Sequence, residues 1–246
     1  MRTRVLFLLI ILITFLGQTF ASVKSDLETA NKNGNAVFLV VSDPGVSETS
    51  KILDIANQAK SKLTKTVVIQ MNRSDQTNAE LVTKFGLAGA PLPVILVIAS
   101  NGIVTAGYTL NQVTSELLVK AIPSPKKAEV LKTLSEGKSV FIVLTGQSMT
   151  EKNTIMNTCR QACTEMENNA KMIEISLDDP KENQFLTELR VNMAATEPMT
   201  YVINPKGQIT GTFSDDVNAT TLVASARKVS SGCCPGSSKG CAPTKK

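Results

Sequence analysis

The 246-residue chain has no histidine and no tryptophan, and aromatic residues make up 4% of it. Without histidine no side chain has an ordinary pKa near neutrality, so Ser-His or Cys-His nucleophilic catalysis cannot be assembled. The scarcity of aromatics speaks against a lectin-like or single-strand-binding surface, which relies on aromatic platforms. Charge of one sign is missing too. Setting aside Arg2 and Arg4 leaves 24 basic against 21 acidic side chains, and Lys239, Lys245 and Lys246 account for the whole excess. The body between is neutral and lacks the basic stripe of a nucleic-acid binder.

What the N-terminus does contain is a short apolar run. Arg2 and Arg4 precede residues 5–16, followed by "GQTFA" with small or polar residues up to Ala21, the layout of a secretory signal peptide. Twelve residues fall short of the roughly 20 that span a bilayer. The absence of cysteine at the cleavage site speaks against a lipoprotein. The sequence predicts a mature chain starting near Ser22, secreted or periplasmic, with no stable membrane span after cleavage.

An internal repeat organises the rest. "GNAVFLVVSDPGVSETSKILDIANQAKSKL" (residues 34–63) aligns without gaps on "GKSVFIVLTGQSMTEKNTIMNTCRQACTEM" (residues 137–166). With small insertions the register continues: "VVIQMN" answers "MIEISL", and "PVILVIASNGIVTAG" answers "PMTYVINPKGQITG". Such self-similarity fixes two units before any motif is read. In each unit an apolar, β-branched run (residues 37–41 and 140–144) reads as a strand buried on both faces. Next comes a helix with apolar spacing: Ile52, Leu53, Ala56, Ala59 and Leu63, then Ile155, Met156, Cys159, Ala162 and Met166. A second strand, a polar helix, a Pro-led β-hairpin turning at "SNG" or "PKG" and a closing helix complete the unit. The predicted order is β-α-β-α-β-β-α, an α/β class with two parallel strands followed by an antiparallel hairpin.

Each half resembles a thioredoxin-like domain, most closely in "KFGLAGAPLPVILVIASNG". In that family the proline opening the third strand is cis and lies beside the active site. The resemblance assigns this role to Pro93 and Pro198, with Pro91 as a competitor in the first half. It also implies a CxxC at the start of the first long helix, where dipole and desolvation ready a thiol for attack. This chain has "SDPGVSET" there, with residues 44–47 in the motif's place, and "TGQSMTEK" in the second half, around residues 147–150. Neither holds a cysteine, so the expectation leans away from an enzyme.

Cys159 lies on the apolar stripe of its helix and reads as a small buried hydrophobe. Cys163 aligns with Lys60 and is expected nearer the rim. A bridge between them does not fit, since Cβ atoms at i and i+4 stand ~5–6 Å apart against the ~3.5–4.5 Å a disulfide takes. Asp178 and Asp179 read as caps of the helix that Pro180 opens, and Asp215 and Asp216 as caps of the last helix. "NRS" at Asn72 and "NAT" at Asn218 match the glycosylation sequon, which matters only in a eukaryotic host.

Beyond Ser230 the composition turns to Gly, Ser, Pro, Lys and Cys with no apolar periodicity, which predicts a flexible tail. Three of the five cysteines, Cys233, Cys234 and Cys241, stand in it. Three thiolates on a pliant chain suit a soft ion, Cu(I) or Zn. A mobile redox dithiol and a structural bridge are the other uses, and five cysteines leave at least one unpaired if all bridges are internal.

The expected organisation is a signal peptide over residues 1–21, thioredoxin-like domains over 22–123 and 124–229, and a Cys-rich tail over 230–246. The expected function is a non-catalytic extracytoplasmic binding or scaffold protein that holds a protein or peptide partner at the Pro93 and Pro198 surface. In this reading the tail thiols bind metal. The alternative is a thiol-disulfide redox protein whose working thiols lie in the tail, with Cys163 as a secondary thiol.

Overall fold

A computed structural model of the chain describes residues 22–214 and 216–229. The N-terminal run and the tail with Cys233, Cys234 and Cys241 lie outside the described residues.

The strand β1 (Ala36–Ser42) is buried along nearly its whole length because it is central and covered on both faces. It pairs in parallel with β2 (Thr66–Asn72) and antiparallel with β3 (Val94–Ile98), which pairs antiparallel with β4 (Val104–Thr109). The sheet order is β2-β1-β3-β4. Val37, Leu39 and Val41 pack with Leu27 and Ala30 of α1 (Val23–Lys32) and Leu81 of α3 (Ala79–Lys84). Phe38 and Val40 face Ile52, Ala56 and Ala59 of α2 (Thr49–Ser61) and Leu118 of α4 (Ser115–Ala121). Each fully buried side chain of this size contributes roughly 1.5–3 kcal/mol.

The second half repeats the plan. Its sheet runs β6 (Ala170–Ser176), β5 (Ser139–Thr145), β7 (Met199–Ile203), β8 (Ile209–Phe213). One face is covered by α6 (Lys152–Glu165) and α8 (Ala219–Ala226), the other by α5 (Pro125–Ser135) and α7 (Asn183–Glu188). The hairpins turn at Gly102 (φ +84°) and Gly207 (φ +77°), values that favour glycine.

Two departures from the sequence reading concern helices. The order in each half is α-β-α-β-α-β-β-α, with α1 and α5 ahead of the expected first strands. These helices bury few apolar residues, Leu27 and Ala30 in α1 and Ala128 and Val130 in α5, so no apolar stripe announces them. Their caps do: the hydroxyls of Ser22 and Ser124 accept from the Ser25 and Lys127 amides, and Pro125 occupies the first turn. At the other end Asn218, not Asp216, caps α8, its Oδ1 accepting from the Thr221 amide at 2.9 Å. Asp216 stands two residues before the cap position and accepts from the Ser214 hydroxyl. Asp215 lies outside the described residues. Asp179 caps as expected, accepting from the Lys181 amide.

Three residues separate α4 from α5. The hairpin tip of the first half meets the second half here: Asn101 Nδ2 donates to the Ala128 carbonyl at 2.6 Å.

Candidate functional site

The ends of β1 and β2, the loop into α2 and the loop into β3 converge at one end of the first sheet. Glu48 occupies the N-cap of α2 without a side-chain cap bond. In the loop before it, residues 44–47 supply Pro, Gly, Val and Ser and no sulfur. Facing this loop, the Leu92–Pro93 peptide is cis. Pro93 is buried, Leu92 half-buried and Pro91 exposed. Among the described residues the Leu92 N–H has no hydrogen-bond partner. A shallow groove of about 200 Å³ runs past Glu48, Pro91, Leu92, Pro93, Thr109 and Asn111.

A polar clamp that the sequence reading missed holds the loops together. Arg73, the first residue beyond β2, pairs with Asp43, the first beyond β1, and Arg73 Nη1 donates to the Ala90 carbonyl at 2.8 Å. Asp43 Oδ1 accepts from the Ser74 amide at 2.9 Å and hydroxyl at 2.7 Å. The Ser74 hydroxyl, followed by Arg73, holds the Asp43 carboxyl below its usual range. The available signal was an acid one residue past the first strand and a base one residue past the second.

The second half keeps the bridge and reverses it. Gly146 stands where Asp43 does, and the acid has moved to Asp178, which accepts from the Gln147 amide at 2.8 Å. Met149 is buried in the loop before α6, where the motif's thiols would lie.

Pro198 corrects the expectation. It opens β7 and is buried, but the Glu197–Pro198 bond is not cis; among the described residues Leu92–Pro93 is the cis peptide. Pro91, the competing candidate, is likewise not cis. Leu87 and Val191 are equivalent, each amide bonding back five residues to Val82 and Leu186. From there the first half reaches its strand at Val94 and the second at Met199, one residue later. That extra residue lets the chain turn into the sheet with the ordinarily preferred trans bond.

Both described cysteines are free. Cys159 is fully buried on α6, its Sγ 3.5 Å from Thr200 Oγ1, and burial pushes its pKa up to about 11. Cys163 is half-buried, and burial raises its pKa as well. Neither is near a helix start, and a raised pKa suppresses the thiolate that attacks or ligates. Among the described residues no group of three or more Cys, Asp or Glu could hold a metal ion, and no helix is long and apolar enough to cross a membrane.

The strand order, the helices on both faces and the parallel pair followed by an antiparallel hairpin, shared by both halves, decide the fold. Each half is thioredoxin-like. No family model and no curated protein matches the chain. Among solved structures it is similar to the first two thioredoxin domains of Saccharomyces cerevisiae Eps1p, at 11% identity over 84% of this chain and 96% of that one, TM-score 0.30. It is also similar to zinc-bound human ERp44, at 11% identity over 81% of this chain and 55% of that one, TM-score 0.35. A DsbH oxidoreductase matches 44% of this chain and 81% of its own at 15% identity, TM-score 0.30. At these scores the fold assignment rests on the topology of this chain itself.

Proposed function

We propose that this thioredoxin-like chain is a non-catalytic binding or scaffold protein acting outside the cytoplasm, which holds an extended polypeptide in the groove beside Pro93. One observation carries the reading: the loop where the fold's dithiol belongs contains no sulfur, while the groove it faces is kept, with an unpaired Leu92 amide at its edge. An unpaired backbone donor in a groove suits strand-like pairing with an extended peptide. The Pro198 face of the second half belongs to the same proposal as a secondary surface. In the same proposal Cys233, Cys234 and Cys241 hold a soft metal, Cu(I) or Zn.

The test uses the full mature chain. An array of extended peptides is probed with the native protein, with Glu48→Arg/Asn111→Arg and with the triple Cys→Ser variant of the tail, and bound copper and zinc are counted per chain. Both groove positions are exposed. The groove variant should lose peptide and keep metal, and the tail variant the reverse. Peptide binding lost with the tail cysteines and retained in the groove variant overturns the proposal in favour of a tail-based redox function.

A further inference from the structure

Outer strands present unpaired N–H and C=O groups to which another chain can add, and proteins blunt such edges with charge, proline or a bulge. Of the four outer strands among the described residues, three carry such a device. β4 and β8 are bulged: pairing skips Thr105 between Val104 and Ala106, and Thr210 between Ile209 and Gly211. β6 carries two charges, Lys171, paired with Glu129 at 2.9 Å, and Glu174, which accepts from Thr145 Oγ1.

β2 has none of these. "TVVIQMN" runs seven residues in unbroken register with β1, without charge or proline. Position by position it has Val67 where β6 has Lys171, and Gln70 where β6 has Glu174. Beside it α1 leaves a groove of about 380 Å³ lined by Thr29, Ala30, Asn33, Val67, Ile69 and Gln70 among others. The same fold, used twice in one chain, protects this edge in one copy and, among the described residues, leaves it without such a device in the other.

We propose that β2 pairs antiparallel with β2 of a second copy of the chain, centred on Ile69, joining two first-half sheets into one of eight strands. The strand is complementary to itself in this register. Ile69 meets Ile69 of the second copy and Val67 meets Met71, all on the face that packs with α1 and α3. Val68 meets Gln70 on the opposite face, and Thr66 meets Asn72. Ile69 and Met71 are already buried within their own copy, so the pairing is made by backbone groups. No like charges are opposed within the strand, and at its ends Lys65 falls opposite Arg73, whose charge Asp43 already meets. A two-fold pairing of one patch with itself is the commonest oligomer geometry. Seven strand residues with the flanking helix make a small interface, of the size class found in transient assemblies.

Sedimentation velocity on the full mature chain over a wide concentration range, with reductant present to keep tail cysteines from linking chains, reads this directly. A monomer–dimer equilibrium is expected, with amide exchange over residues 67–70 slowing as dimer accumulates. Val67→Lys/Gln70→Glu, which copies the residues of β6, should weaken association about tenfold or more. Because Val67 is half-buried, Gln70→Lys at an exposed position serves as a second variant, with unchanged circular dichroism and the same direction of effect. A monomer at every concentration, or a dimer indifferent to both variants, overturns the proposal. So does concentration-independent protection of residues 67–70, which would assign the edge to a segment of the same chain, or protection that appears only on adding an extended peptide.

Discussion

Arg73 and Asp43 form an ion pair at 2.6 Å, with about a fifth of each side chain exposed, across the mouth of the first half. The same guanidinium reaches the Ala90 carbonyl in the loop that leads to Pro93. One side chain therefore ties the ends of two strands to the wall of the candidate groove. Arg73→Leu is expected to loosen that loop, lowering the melting temperature by roughly 2–4 °C, the shift per kcal/mol for a chain of this length. Amide exchange over residues 87–92 should rise more than over residues 191–197, which have no such clamp. Equal exchange in both loops would show that the clamp does not order the groove.

Acid reads the same pair. The folded-state pKa of Asp43 is lowered, so its contribution is present above the unfolded carboxylate range and lost as pH falls through the folded value. Asp43→Asn should therefore narrow the gap in melting temperature between pH 7 and pH 3. A variant with the same acid sensitivity as the native chain would remove Asp43 from the account.

Glu182 is buried with both oxygens engaged at the start of α5. Oε2 accepts from the Ser124 hydroxyl at 2.5 Å, and Oε1 from the Lys126 amide at 3.0 Å. A carboxylate there also meets the positive end of the helix dipole. Glu182→Ala removes charge-assisted bonds and strands the donors, costing about 2–3 kcal/mol by denaturant titration. Glu182→Gln keeps one acceptor and should cost less.

Cys159 should resist thiol reagents in the native state and react on unfolding, whereas Cys163 should react slowly. The folded-state pKa of Cys159, about 11, lies above the unfolded value, so stability is fully present below about pH 9 and falls as pH rises through 11. The loss between those limits is about 2–3 kcal/mol. Cys159→Ala should flatten stability across that alkaline range.

Asn218→Ala should cost about 1 kcal/mol through loss of the α8 cap, while Asp216→Asn should be near neutral. Thermal melts of the two variants separate the observed cap from the one the sequence suggested.

Most of the architecture was legible because the repeat aligns buried strand on buried strand, and Val37, Ile52 and Ile95 sit on fully covered faces where only apolar residues serve. Cys159 was legible for the same reason, being on the stripe. The helices α1 and α5 were not, because they bury two or three small or apolar residues each and are fixed mainly by serine caps. The Arg73–Asp43 clamp joins residues thirty positions apart whose neighbourhood only the parallel pairing of β1 and β2 creates. The difference between Pro93 and Pro198 depends on one residue of loop length, which a motif match does not weigh.

The two halves also hold their leading helices differently, and this bears on how such a gene can be recombined. In the first half the buried residue matching Glu182 is Asn78, which donates to the Asn72 carbonyl at the end of β2 and does not reach α1; there Ser22 caps the helix and Lys24 pairs with Glu80 of α3 at the surface. In the second, the start of α5 and the turn before α7 are fastened to each other. A crossover placed between α5 and β5 would separate Ser124 from Glu182 and leave a carboxylate buried with nothing to receive, whereas one placed before Ser124 would carry both halves of the clasp into the hybrid.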